Sequence, residues 1–477
     1  MIRLILSFLL AFSSLPVWAS SLPSKAQQDI QTLLEQNQNQ YGIVGQAVAV
    51  LINGNPVFTA AAGFADNASG VEATDTTVFQ IFSVSKLFAL QRLGELVDAG
   101  KLEWDAPVSR YLKDLPTSWQ QVTVRQCMNH VSGLPEYYRD FDKPMPKTAA
   151  LALDRVREEP FEFETGTQVK YNQTNYLLLK MIVEKLSGDS YAEGFAAFTK
   201  KAGLKHTRHG DINANIPGRA TTYEAVPGGL EPLTKLDQPH YMITATGLNS
   251  NARDLADWFS RLLAGEFVSK KTLTNMWQPV QLKDGSVARF AGGFERFEND
   301  AVIAVGHGGG GRNDVRHFMP KNGGDTISVV FLSNGGSTFR NPRDSSQRIA
   351  NIVTGGNLFP LTALSDTMAA AIADDDWPAA RAAYDTFKKA DRGKQATEDM
   401  LNSLGYAVWG KHGAEKALPV FQLNIAEHPK SANPYDSLGE AQLHLGDKTN
   451  ARKNYQKAQD IAPNSRVAEI LKKLETP

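Results

Sequence analysis

The 477-residue chain reads as an α+β domain, an antiparallel sheet flanked by helices with a mostly helical subdomain, followed by an all-α repeat domain. Three observations predict this. Strand-like runs stand at both ends of residues 20–357, and helical text fills the space between them. Beyond Pro360 strand signals vanish, and a repeat can be counted over residues 361–477. With 42% hydrophobic and 21% charged residues, the composition is that of a globular protein rather than a disordered or fibrous one.

The N-terminus reads MIRLILSFLLAFSSLPVWAS. Arg3 precedes an apolar run from Leu4 to Phe12, and Val17 and Ala19 are small residues at the −3 and −1 positions of a secretory cleavage site. Residues 1–19 are therefore expected to be a signal peptide cut after Ala19, sending the protein to a periplasm or the exterior; a retained anchor helix is the alternative. The run is shorter than the ~20 residues a spanning helix needs, and no later stretch is long and apolar enough to cross a bilayer.

Next come two β-rich runs, Gln46 to Ile52 and Pro56 to Ala62, joined at Asn53-Gly54, a strong hairpin signal. From Ser85 to Ala99, Leu87, Leu90, Leu93 and Val97 recur at helical spacing. Residues 301–307 and 326–334 are strand-like again, with a glycine-rich stretch between them, and the two ends of the domain are expected to pair into one sheet. In the tail, Leu404-Gly405, Ala417, Phe421 and Pro429 return as Leu438-Gly439, Ala451, Tyr455 and Pro463, each pair 34 residues apart. That is the tetratricopeptide period, with a degenerate first repeat beginning near Leu361 and about three repeats in all. Pro419, inside the second helix of a repeat, predicts a local kink.

A formal net charge of −1 gives no electrostatic footprint for nucleic acid or an anionic membrane. The single cysteine, Cys127, cannot form an intramolecular disulfide and reads as a small buried hydrophobe. His206 and His209 in HTRH have a spacing that could chelate, but lack a third obvious ligand, so the stretch reads as a solvated loop and no metal or cofactor is expected.

The chemistry starts at FQIFSVSKLFAL. Ser83 and Lys86 stand three apart at the start of the helical pattern, on one helix face, where the N-terminus offers N–H groups to a developing oxyanion. A serine needs a base, and a lysine can be one only if burial or neighbouring positive charge lowers its pKa. Alone, the pair reads first as a helix-start serine and a surface lysine, because chance supplies Ser-x-x-Lys in a chain of this length. Two further stretches change that. Tyr171 and Gln173 stand at the lip of another helix, and His307 ends a strand in AVGHGGGG.

These elements, in this order, resemble the serine β-lactamase and penicillin-binding-protein superfamily, in particular its class C β-lactamase-like branch, which also holds esterases and D-amino-acid peptidases. The family motifs Ser-x-x-Lys, Tyr-x-Asn and Lys-Thr-Gly or His-x-Gly stand here as Ser83-Val84-Ser85-Lys86, Tyr171-Asn172-Gln173 and His307-Gly308-Gly309. Supporting text, GKLEWDAPVSRYL, VTVRQCMNHVSGLP and GLNSNARDLADWF, is similar to the family too, and the likeness covers roughly residues 26–356. The resemblance implies a β-lactamase/transpeptidase-like fold. It implies Ser83 as the acylated nucleophile, Lys86 as its proton acceptor or electrostatic activator, and Tyr171 as a proton relay to the leaving group. The backbone N–H groups of Ser83 and Gly310 would form the oxyanion hole, with Gln173, His307 and Gly309 on the substrate side.

Two departures matter. Gln173 replaces the usual Asn and adds a methylene, so its amide must reach substrate or Lys86 from a different backbone distance. His307 replaces the lysine of most true β-lactamases, and a neutral imidazole carries little charge for a β-lactam carboxylate. Arg312 could supply that charge or could be a solvated loop residue. The expectation is therefore an exported serine hydrolase using a covalent acyl-enzyme on ester, amide or peptidoglycan-type substrates, esterase or D-amino-acid/DD-peptidase-like rather than a true β-lactamase. The alternative is a catalytically weak penicillin-recognising sensor or scaffold whose repeats bind a protein partner. The repeats could equally cap the hydrolase domain.

Overall fold

The computed structural model describes residues 21–138, 144–226, 229–236, 238–336, 342–356, 358–390 and 397–475, so the expected signal peptide lies outside the described residues. The chain divides into two compact units, Met1–Val353 and Thr354–Pro477. In the first, α1 (Ser24–Tyr41) leads into the hairpin β1 (Gly45–Ile52) and β2 (Asn55–Asp66), then β3 (Val71–Glu72). Asn53 and Gly54 both have positive φ, 51° and 79°, the turn geometry that an Asn-Gly pair favours between antiparallel strands.

Short strands β4 (Phe79–Gln80), β5 (Arg208–His209), β6 (Tyr223–Val226), β7 (Gly229–Pro232) and β8 (Leu248–Ser250) punctuate the helical middle. The helices there are α2 (Ser85–Asp98), α3 (Val124–Met128), α4 (Ala149–Asp154), α5 (Gln173–Ser187), α6 (Tyr191–Ala202), α7 (Ala252–Ala264) and α8 (Lys270–Met276). The unit closes with β9 (Phe290–Ala291), β10 (Phe294–Glu298), β11 (Val302–Gly309), β12 (Asn313–Pro320), β13 (Ile327–Ser333) and α9 (Pro342–Thr354).

The eight-stranded sheet runs β3-β2-β1-β13-β12-β11-β10-β9. The first and last long strands of the unit, β1 and β13, meet in its middle, antiparallel from Gln46 opposite Ser333 to Ile52 opposite Ile327. Alternation then sorts the side chains. Ala47, Ala49, Leu51, Val305, Val315 and Val330 enter one core with Leu87, Leu90, Leu93 of α2 and Trp258, Phe259, Leu262 of α7. On the other face α1 docks through a buried polar tie: Asn37 Nδ2 donates to Gln46 Oε1 at 3.0 Å and Gln46 Nε2 to the Leu34 carbonyl at 2.8 Å.

Cys127 lies in the core, where burial pushes its thiol well above the usual value. His209 departs from the solvated-loop expectation. It sits in β5, paired to β8, with its ring 4.3 Å from that of His240, and burial lowers it to about 4.

The second unit is all-helical: α10 (Pro360–Ala373), α11 (Trp377–Lys389), α12 (Glu398–His412), α13 (Ala414–Glu427), α14 (Ala432–His444), α15 (Lys448–Ile461) and α16 (Ser465–Glu475). Gly405 faces the ring of Phe421, and 34 residues on Gly439 faces the ring of Tyr455, so the repeated small residue marks where two helices cross closely. α13 runs on both sides of Pro419.

Candidate active site

Ser83 sits in a single 3-10 turn, Phe82–Val84, that runs directly into α2. Phe82 before it has φ 48°, a conformation rare for a bulky residue and found where the surroundings enforce it. Its ring lies against Gly310, and the Arg312 guanidinium stacks 5.5 Å above it. Lys86, one turn later, is fully buried. Its Nζ donates to Gln173 Oε1 at 3.1 Å and to the Ala245 carbonyl at 2.8 Å, and stands 4.8 Å from the ring centres of both Tyr171 and Tyr176. Burial brings its pKa down to about 7, with Glu136 and Glu295 pulling the other way.

Tyr171 precedes Asn172, the N-cap of α5. Asn172 Oδ1 accepts the Asn175 N–H at 3.0 Å, and its own N–H donates to His130 Nδ1 at 3.0 Å. The His130 ring lies 4.5 Å from that of Tyr171. The Tyr171 hydroxyl is buried without a well-formed hydrogen bond among the described residues. Burial raises its pKa, while the nearby Ser83 side chain pulls it down. Gln173 is the first residue of α5, and its N–H donates to Glu136 Oε2 at 2.5 Å. That anchor sets the side chain so that the longer amide reaches Lys86.

β10 pairs with β11 only as far as Gly306, which leaves His307, Gly308 and Gly309 a free edge on that side. A Cβ on Gly309 would lie 2.3 Å from the Ile81 carbonyl oxygen, so the edge packs directly against the turn that carries Ser83. Gly310 has φ 58°, and its N–H meets no acceptor among the described residues. His307 is buried; its Nδ1 lies 2.6 Å from the Gly308 carbonyl and its Nε2 has no partner among the described residues. A carbonyl only accepts, so Nδ1 carries the proton. Burial lowers His307 to about 4 against the pull of Glu295, and the ring is neutral at pH 7.

Ser83, Tyr171, His307 and residues 308–311 line one cleft of about 370 Å³ together with Arg289, Glu295, Asp314 and Arg343. Arg312 is not among its lining residues. Its Nη1 donates to the Gly310 carbonyl at 2.8 Å and its Nη2 to that of Tyr223 at 2.7 Å, so it fixes the backbone after the glycine edge. The charges that do line the cleft escaped the sequence reading. Arg316, wholly buried, bridges Asp314 at 2.5 Å and Glu295 at 2.8 Å, and Arg343 reaches Glu295 at 2.7 Å. Arg289, exposed and 5.1 Å from the Phe290 ring centre, forms no ion pair among the described residues. Asp314 stands three residues beyond the last glycine of the stretch, and Glu136 directly follows SGLP. Glu295, Arg289 and Arg343 stand in no motif.

The beta-lactamase family model matches residues 30–354. The chain belongs to the beta-lactamase family. Among the relatives of this family member, penicillin-binding protein 4* of Bacillus subtilis is 26% identical over 284 residues, 56% of this chain and 62% of that protein. The family member thus spans less than two thirds of that relative's length. Among solved structures, the octameric penicillin-binding protein homologue from Pyrococcus abyssi superposes with a TM-score of 0.60 at 21% identity, covering 72% of this chain and 81% of the other. The D-amino acid amidase from Ochrobactrum anthropi SV3 gives 0.58 at 24% identity, covering 70% and 99%. At these identities the structural likeness is one of fold.

Proposed function

We propose that the chain is an exported serine hydrolase that works through a covalent acyl-enzyme. Ser83 Oγ attacks the acyl carbonyl while neutral Lys86 takes its proton. The new bond is the Ser83 ester; the bond that breaks is the C–N or C–O bond to the leaving group, which receives the proton by way of Tyr171. Water then hydrolyses the ester. The N–H groups of Ser83 and Gly310 hold the tetrahedral oxygen. The observation that carries this reading is the place of Lys86: wholly buried one helical turn from Ser83, with its Nζ hydrogen-bonded to Gln173 and to the Ala245 carbonyl, where burial lowers its pKa to about 7.

Amides and esters, including D-aminoacyl and peptidoglycan-type ones, rank above β-lactams as substrates. The neutral His307 supports this, since its Nδ1–H is taken by the Gly308 carbonyl and its bare Nε2 can only accept, so it offers a carboxylate neither a proton nor a charge. The amidase likeness points the same way. Export rests on the residues before Ala19, and no described helix is long and apolar enough to cross a membrane. The helical tail, read as tetratricopeptide-type repeats, offers either a cap or a surface for a protein partner.

The test compares wild type with Ser83→Ala on an activated ester, a D-aminoacyl amide, a D-Ala-D-Ala peptide and a chromogenic cephalosporin, with mass spectrometry after a serine-directed acylating probe. Turnover of the ester or amide, lost in Ser83→Ala, is expected, with the probe's mass on Ser83. A wild type that turns over none of the four and stays unlabelled would favour the sensor reading.

A further inference from the structure

A second cavity, about 450 Å³, lies between the β1–β2 turn, the end of α7, α8 and the middle of β12. Leu263, Ala264 and Leu273 give it an aliphatic wall and Trp277 an aromatic one. The Trp277 ring packs 5.7 Å from His317 and 6.0 Å from Phe294. One buried polar group of this wall is unmet among the described residues. Trp277 Nε1 is buried with no acceptor. His317, 5% exposed, uses only Nδ1, which is 2.9 Å from Ser328 Oγ. Native structures leave few buried polar groups unpaired, and each calls for an occupant or a reason.

The charge around this space is one-sided. Lys270 lines it, is exposed, and forms no ion pair among the described residues. No carboxylate is in the lining. The acidic groups nearby are engaged elsewhere: Asp325 accepts from Asn53 Nδ2 at 2.7 Å, Asp98 holds Ser269 and Thr272, and Glu266 pairs with Arg261. Burial keeps the His317 imidazole neutral, near 4, so it serves as a hydrogen-bonding group and Lys270 is the single charge.

We infer that this cavity binds a small aromatic carboxylate, its ring between Trp277 and the Leu263–Leu273 wall and its carboxylate at the Lys270 ammonium. A concave, mostly apolar space with a few converging polar groups is the usual form of a small-molecule site. This site stands apart from the acyl-transfer residues, though β12 connects the two: His317 lines the cavity and Asp314 lines the cleft.

The test uses fluorine NMR with para-fluorobenzoate as the probe. Wild type should give saturable binding with a Kd on the order of 1 mM. Lys270→Met, a surface change, should weaken it roughly five- to tenfold, as should replacing the probe by uncharged para-fluorobenzamide. Ala264→Trp, which fills the space, should abolish binding while thermal unfolding shows the fold intact. Absence of saturable binding to wild type overturns the proposal. So does binding unchanged by both Lys270→Met and Ala264→Trp, or lost in Arg289→Met, which would place the probe in the catalytic cleft. Because the readout is binding and not turnover, the outcome is independent of the proposed hydrolase activity.

Discussion

Two neighbouring glycines on the β11 edge make opposite predictions. A Cβ added to Gly309 would sit 2.3 Å from the Ile81 carbonyl oxygen, with Val84 N and Cγ2 at 3.2 and 3.1 Å. A carbon rests at roughly 3.3 Å or more from such an oxygen, so the edge must retreat by about 1 Å from the turn bearing Ser83. A displacement of that size between reacting groups costs ~10²-fold, and loss of an oxyanion donor costs about 10²- to 10³-fold. Gly309→Ala should therefore lower kcat/KM on an activated ester about a hundredfold or more. A Cβ on Gly308 would meet nothing nearer than the Asn313 carbonyl at 3.7 Å and Asp314 Oδ1 at 3.9 Å. Gly308→Ala should stay near wild type. The assay is steady-state ester hydrolysis by both variants, with thermal unfolding recorded to show that each is folded. A folded Gly309→Ala enzyme with wild-type kcat/KM would refute the packing of the glycine edge on the Ser83 turn as the source of its function.

Ser83→Ala should lower ester hydrolysis by at least about 10³-fold, checked by single-turnover rates at high enzyme concentration. If Lys86 must be neutral to take the proton, kcat/KM should rise with pH through about 7, where burial places it. Glu136 raises the Lys86 pKa, so Glu136→Gln should carry this limb to lower pH; a limb fixed in place would detach Glu136 from Lys86. In the tail, Gly405→Ala drives a Cβ to within 2.4 Å of the buried Phe421 ring and should cost about 1–3 kcal/mol. Gly410, in the same helix with nothing within 4 Å, should tolerate alanine and gain up to ~1 kcal/mol. Chemical unfolding of the two variants separates these outcomes.

What the sequence made legible follows from range. The Asn53-Gly54 hairpin, the α2 periodicity and the 34-residue spacing in the tail are local patterns, and local patterns survive in a single sequence. The three motifs were legible as text, and the structure brings Ser83, Tyr171 and His307 to one cleft with Lys86 behind them. Charge partners were not legible. Glu295 lies beside His307 because β10 pairs with β11, and Arg343 arrives from α9; neither position has a spacing rule. Arg312 looked available for a substrate because its neighbours in sequence are glycines. In space, the carbonyl oxygens of Gly310 and Tyr223 claim it.

The exchange of lysine for histidine at position 307 makes sense once the site is treated as a dry volume holding one titratable base. Desolvation, against the pull of Glu136 and Glu295, brings Lys86 down to about 7. A second full charge against it would press it lower still, and such charges repel strongly where water is absent. A histidine avoids this as long as it stays neutral, yet Glu295 beside it favours the charged form. Arg316 and Arg343 answer that pull. Against its burial, Glu295 is held well below the usual carboxylate range first by its neighbour His307 and then by Arg316 and Arg343, and the two guanidinium groups pair with its charge. With Asp314 closing the other side of Arg316, two carboxylates and two guanidinium groups cancel. The imidazole is left uncharged, its Nδ1–H tied to Gly308 and its Nε2 lone pair unused. Burial is thus what keeps the histidine beside Lys86 uncharged, and the network that no motif announced ties up the carboxylate that pulls the other way.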